Sequence, residues 1–258
     1  RPPRSTLLPY TTLFRSNLER HGYAGDIHLI NPKRDTIDGR PCLKSIDELP
    51  HGVDAAVLAI PGPAVLGAVQ ALAARGVGAA IIFSAGFAEG GEEGLAAQAE
   101  VARIAHEHGM VVEGPNCLGM VNYAEGVPLT FVETPVLDLT GKPAVGIVSQ
   151  SGAMAVVLGT TLMAKGLGIT VSVSTGNEAA SGVEDYVEHL LNDPATPAIA
   201  MIVEQFRKPA RFLALAEKAR AAGKHIVLLH PIYLHSIFMM SISIILSVLP
   251  SQIIRNIV

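Results

Sequence analysis

Apolar runs of strand length alternate along the chain with Ala-rich stretches of helical length. Runs at 26–30, 55–60, 79–83 and 110–113 predict strands, and the segments 63–75 and 92–108 between them predict helices. The strand-length runs are continuously apolar rather than alternating. That marks a parallel sheet covered on both faces. After a loop around 133–142 the pattern restarts. It predicts strands at 145–148, 170–174, 198–203 and 226–229, with helices at 152–165, 183–191 and 210–222. This is βαβ repetition, so the expectation is two α/β units, both doubly wound, with the boundary at 134–141.

The ends break the pattern. All 25 Gly and all 23 acidic residues lie between positions 17 and 230. Residues 1–16 and 231–258 also lack Ala and Lys. The start resembles a sequencing-library adapter read as protein, and the end resembles translated AT-rich or out-of-frame DNA. Both ends are therefore expected to be foreign and to pack poorly. Two other readings of the tail remain. The 18 uncharged residues 232–249 could form a helix of about 27 Å, close to a bilayer core, or could be buried packing. The resulting division is a foreign segment 1–16, a first domain 17–133, a second domain 134–230 and a hydrophobic tail 231–258.

Composition narrows the function. With 49% hydrophobic and 16% charged residues, the chain can bury a sizeable core. Two cysteines exclude a disulfide scaffold and a multi-cysteine zinc module, and they suit a reducing cytoplasm. A net charge of −4, no Trp and few other aromatics give no footprint for nucleic acid. No membrane partner is expected.

In open α/β sheets, ligands bind beyond the carboxyl ends of the strands. There the sequence places Ile60-Pro61-Gly62-Pro63, Phe83-Ser84-Ala85-Gly86-Phe87, Gly114-Pro115-Asn116-Cys117-Leu118-Gly119 and Ser149-Gln150-Ser151-Gly152. Small residues let a ligand approach the backbone, and a following helix N-terminus favours an anion. Each string alone also reads as turn punctuation, and Ser151 alone as an N-cap. Together the four loops point to a phosphate-rich ligand. Cys117 reads as a buried thiol under a turn, since no base stands beside it. Lys33 alone is a solvated lysine or a phosphate contact. His106 and His108 lie two apart on a helix and face different ways, so no metal site is expected.

These loops, with Gly22-Tyr23-Ala24-Gly25, Asn31-Pro32-Lys33, Gly176-Asn177-Glu178-Ala179 and Glu204, resemble those of the NDP-forming acyl-CoA synthetases. That family includes ADP-forming acetate–CoA ligases and, more distantly, succinyl-CoA synthetase α subunits. The resemblance covers residues 17–230. It implies a Rossmann-like CoA-binding domain followed by a flavodoxin-like, succinyl-CoA-synthetase-type domain, both with mainly parallel sheets. It also implies a reaction in which acid, CoA and ATP give an acyl-CoA thioester through acyl phosphate and phosphohistidine. By resemblance, Lys33, Phe83, Ser84 and Ala85 line the CoA site. Asn116, Ser151 and Gly152 hold the phosphoryl group. Glu204 accepts from the ring N–H of the phosphohistidine and orients it, leaving the other nitrogen as nucleophile.

The sequence departs from the family at both ends. The family's first strand and its Gly-rich turn are replaced by the adapter-like start. The family's catalytic histidine string does not follow His230. The ATP-grasp region that binds ATP/ADP and Mg²⁺ is absent, so that domain or a β subunit becomes an expected partner. The chain is thus expected to be an inactive piece of a ligase that takes a small-molecule acid and CoA. A second reading is a non-catalytic acyl-CoA-binding regulatory module of an acetyltransferase-fused protein. A third, a nicotinamide-dependent oxidoreductase, lacks the GxGxxG string.

Overall fold

A computed structural model describes residues 10–232 and 241–246. The first unit opens with α1 (Tyr10–Arg20) and a small sheet of β1 (Leu29–Ile30), β2 (Thr36–Ile37) and β3 (Arg40–Leu43). Next come β4 (Ala55–Leu58), α2 (Gly62–Ala74), β5 (Ala79–Ile82), α3 (Glu92–His108) and β6 (Val111–Glu113). Strands β4, β5 and β6 are parallel and adjacent in that order. The helices and strands fall within a few residues of the sequence pattern. Pro at the start of α2 and left-handed Gly109 at the end of α3 set two of the boundaries.

One expectation fails in this unit. Strand residues alternate between sheet faces. Leu58, Ile82 and Val112 share one face, and Val65, Val69 and Leu72 of α2 join Val101 and Ile104 of α3 over it in a single core. Both helices therefore cover the same face, and the unit is not doubly wound. The opposite face carries Ile81 and Glu113, which are adjacent in register and both buried. An apolar strand records that it is covered, not by what, so the pattern could not separate these cases.

The second unit begins earlier than the pattern indicated. The hairpin β7 (Gly119–Asn122) and β8 (Val127–Leu129) precedes β9 (Ala144–Ser149), α4 (Gly152–Ala164) and β10 (Gly168–Ser174). Then follow α5 (Val183–Asn192), β11 (Ala198–Ile202), α6 (Pro209–Ala221), β12 (His225–Ile232) and β13 (Ser241–Leu246). The sheet order is β13-β12-β11-β9-β10-β7-β8. Its four central strands are parallel, and β7 joins β10 antiparallel. This sheet is covered on both faces. Ile147 packs with Ala155 and Leu162 of α4, while its neighbour Val148 packs with Val187 and Leu190 of α5.

The ends also differ from expectation where they are described. Thr12 and Phe14, in the segment 1–16, are buried, and α1 carries them on into Asn17 and the buried Leu18 of the first domain. The Asn17 amide donates to the carbonyls of Thr130 (2.9 Å) and Val132 (2.7 Å). Helical spacing places Phe14 and Leu18 on one face, so the segment can pack whatever its origin. Strand β13 pairs antiparallel with β12, from Val227↔Leu246 to Ile232↔Ser241. Main-chain groups on a sheet edge accept any extended segment, so this pairing needs no matched sequence. The remaining tail positions, 233–240 and 247–258, lie outside the described residues. Among the described residues, no helix is long and apolar enough to cross a membrane.

Candidate functional site

The two units are joined at their backbones. The chain from Asn177 to Ser181 runs beside β6 and the turn after it. Asn177 N–H donates to the Pro115 carbonyl (2.8 Å), Ala179 N–H to Gly114 (2.9 Å) and Ser181 N–H to Val112 (3.2 Å). Gly176 permits this approach. Its φ is +59°, and a Cβ there would lie 2.7 Å from the Asn116 carbonyl oxygen and closer still to that of Pro115. The Asn177 amide adds bonds to Glu89 (2.5 Å) and Gln98 (3.2 Å) of the first unit. Burial raises the pKa of Glu89, but bonds from Asn177 and nearby backbone N–H groups outweigh it and leave the pKa lowered.

A cleft of about 1000 Å³ opens along this junction. Its first-unit wall holds Phe83, Asn116, Cys117 and Leu118, and its second-unit wall holds Ser151, Gly152, Glu204 and Arg207. Five of the eight residues singled out in the sequence thus meet in one cleft: Phe83, Asn116, Ser151, Gly152 and Glu204. Ser84 and Ala85 adjoin it. The Ser84 carbonyl accepts from Asn116 N–H (3.0 Å), and the Ser84 hydroxyl donates to the Ile60 carbonyl. Lys33 does not line the cleft. It is exposed, and its backbone N–H donates to the Asn31 side chain (3.0 Å) in a local turn.

Phe83 is half-buried in an aromatic cluster. Its ring stacks on Phe14 (centroids 5.0 Å, planes 21° apart) and meets Phe131 edge-on at 5.0 Å. Phe14 lies in the segment the sequence reading set apart, so this contact was not legible there. Cys117 is buried, and its thiol donates to the Ile82 carbonyl (3.4 Å). Burial, then the nearby Glu113, push its pKa up, which removes it as a thiolate nucleophile. The packing reading of Cys117 therefore stands.

Ser151 is the N-cap of α4 and accepts from Met154 N–H (3.4 Å). Gly152 lies against Leu118, and a Cβ there would run into its side chain. Glycine lets the start of α4 pack directly against Leu118 at the cleft wall. On the same wall, Glu204 is exposed at the end of β11. Its loop is held by side chains rather than by a strand partner. Gln150 Oε1 accepts from Glu204 N–H (2.7 Å) and Gln205 N–H (3.0 Å), while its Nε2 donates to the Gln205 carbonyl (2.6 Å). Glu184 Oε1 accepts from Lys208 N–H (2.8 Å).

Sequence reasoning missed three residues of this loop's support: Gln150, Glu184 and Glu178. Gln150 and Glu178 were noted only as parts of matching strings, with no role given to either. The Glu178 carboxylate is fully buried and accepts from the Thr175 hydroxyl (2.8 Å) and Val183 N–H (3.1 Å). Its other oxygen faces Arg207 Nε at 3.7 Å. Burial raises its pKa, with Glu184 nearby adding to the effect against several hydrogen bonds. Among the described residues, no cluster of His, Cys, Asp or Glu could hold a metal ion.

Such a cleft, with a helix N-terminus and a carboxylate facing a Rossmann-like unit, lies where two α/β domains of a ligand-binding class meet. Residues 12–123 match the CoA binding domain family, and residues 142–232 match the succinyl-CoA ligase like flavodoxin domain. The chain belongs to the NDP-forming acyl-CoA synthetase family. It is 58% identical over 217 residues to trans-feruloyl-CoA synthase FCS1 from an unidentified prokaryotic organism, covering 84% of this chain and 31% of that protein. It is 31% identical to the α subunit of ADP-forming acetate–CoA ligase II from Pyrococcus furiosus, covering 80% of this chain and 44% of that subunit. Among solved structures it resembles the dinucleotide-forming acetyl-coenzyme A synthetase 1 of Ca. Korarchaeum cryptofilum in complex with phosphate and ADP. The TM-score is 0.79 at 28% identity, over 88% of this chain and 48% of that one. The chain thus spans less than half the length of these relatives.

Proposed function

We propose that this chain supplies the CoA-binding and phosphoryl-receiving halves of an acid–thiol ligase. The single observation behind this reading is the shared cleft: Phe83 on one wall, Asn116 beside it, and the Ser151-Gly152 helix N-terminus with Glu204 opposite. In the family reaction, ATP and Mg²⁺ activate an acid for transfer to CoA. They would act through an ATP-grasp partner, in the cytoplasm.

The chain's own residues have separable tasks. The Gly152 backbone N–H binds an anion with the α4 dipole, and Ser151 contributes its hydroxyl, since its own N–H is donated to Ser149 Oγ (3.2 Å). Asn116, at φ +58°, offers an amide from the other wall. Its Nδ2 lies 3.5 Å from Asn177 Oδ1, so it is anchored but not saturated. Phe83, Ser84 and Ala85 form the edge along which CoA would lie. Lys33 belongs to this site only if its loop closes on a bound ligand. Glu204, clamped through its backbone, accepts a hydrogen bond from the ring N–H of an incoming histidine and fixes its orientation.

The 58% identity to a feruloyl-CoA synthase supports an aromatic acid as substrate, and Phe83 and Phe131 give the cleft an aromatic wall. In a full-length ligase built on these domains, Glu204→Gln should slow phosphoryl transfer from labelled ATP. Loss of a charge-assisted hydrogen bond of about 1.5–3 kcal/mol corresponds to about 10- to 150-fold. CoA affinity should not change. If phosphorylation survives, Glu204 is an ordinary strand-end carboxylate. Turnover of ferulate against acetate tests the acid.

A further inference from the structure

We propose that Arg207 is the cation that binds the phosphoryl group in this cleft, held in place by the buried carboxylate of Glu178. The inference rests on the phosphate reading of the cleft and names a ligand residue that reading lacks. Among the described residues lining the cleft, Arg207 carries the only positive side chain. A phosphoryl group there would also stand on the same wall as the exposed carboxylate of Glu204. A helix N-terminus contributes roughly half a unit of positive charge. That does not balance a dianion beside a carboxylate, whereas a guanidinium does.

The geometry aims Arg207 at this task. Its Nη1 donates to Gln205 Oε1 (3.0 Å) and its Nη2 to the Asn177 carbonyl (3.5 Å). Its Nε faces Glu178 Oε2 at 3.7 Å. One N–H on each terminal nitrogen remains after these bonds, a pair suited to a forked contact with phosphate. The anchors differ in depth. The Arg207 side chain is 47% exposed, while that of Glu178 is 0% exposed. The buried partner holds the group, and the exposed fork stays open to ligand. Arg207 also reaches Asn177, whose side chain neighbours Asn116, so the cation connects both walls.

A purely structural role would have Arg207 do no more than neutralise Glu178, and the two roles separate experimentally. The chain is titrated with inorganic phosphate at low ionic strength, following the Gly152 backbone amide by NMR, with melting temperature as a parallel readout. We expect saturable binding in the wild type. In Arg207→Gln it should weaken at least about tenfold, the loss of one charge-assisted bond. Arg207→Lys keeps the charge but not the fork and should fall between them. Phosphate affinity at the wild-type level in both variants, even with a lowered melting temperature, overturns the inference and leaves the phosphate cleft standing. No saturable shift at Gly152 in the wild type overturns both.

Discussion

The two walls of the cleft are built by different means. On the first-unit wall, the turn after β6 is fixed by backbone–backbone bonds to residues 177–181, and Phe83 is fixed by ring packing. On the second-unit wall, the loop from Glu204 to Lys208 is fixed by the side chains of Gln150, Glu178 and Glu184. Backbone pairing and ring packing carry no net charge. Side-chain clamps built on carboxylates place charge under the site. The first wall supplies shape, and the second supplies shape together with an electrostatic setting. On that wall Arg207 stands at 3.7 Å from the buried Glu178 and brings a positive side chain beside the exposed Glu204.

Three perturbations sharpen this contrast, beginning with the largest. Gly176→Val attacks the backbone joint. A branched side chain at φ +59° that also strikes carbonyl oxygens should cost about 2–5 kcal/mol. Denaturant unfolding should show a lower midpoint. A two-step transition would mean that the units part before they unfold.

Glu113 comes next. It is buried on the sheet face that α2 and α3 leave open, and its Oε1 has no hydrogen-bond partner. Burial pushes its pKa well above the ordinary 4.5. The folded state therefore keeps a proton that the unfolded chain releases. This contribution is intact below pH 4.5 and is lost as pH rises toward the folded pKa. Over that window the slope is about 1.4 kcal/mol per pH unit for one proton. Glu178 shifts in the same direction, so the informative quantity is a difference. Unfolding midpoints from pH 5 to 8 should decline less in Glu113→Gln than in the wild type. Parallel curves would show that Glu113 is not the source.

The smallest effect belongs to Gln150→Ala. It removes three hydrogen bonds, but the loop they hold is exposed and water can replace them. Stability should drop by only about 1 kcal/mol. Amide exchange at Glu204 and Gln205 should quicken, with the first-unit turn unaffected. Unchanged exchange at those two amides would remove the contrast between the walls.

Much of this was legible in the chain. Continuous apolar runs between Ala-rich stretches specify parallel strands and their helices, because burial on both faces leaves no polar alternation. Gly and Pro strings at strand ends mark the cleft, because only small residues let backbone and ligand approach. That logic and the family resemblance named eight site residues, and five of them line the cleft. The rest needed the tertiary structure. The β7–β8 hairpin lies ahead of the apparent boundary yet joins the second sheet, since strand pairing ignores order along the chain. Phe14 lies in an uncharacteristic segment, yet its ring finds Phe83. Gln150 and Glu178 stand inside the motif strings and Arg207 outside them, but no string shows what any of the three touches. What gives them roles is proximity across 29 to 55 residues of chain, between Glu178 and Arg207, 29 apart, and between Gln150 and Gln205, 55 apart. Local sequence encodes periodicity and turn chemistry, which are short-range. Charge balance in a cleft depends on distances set by packing, and so only the folded chain decided it.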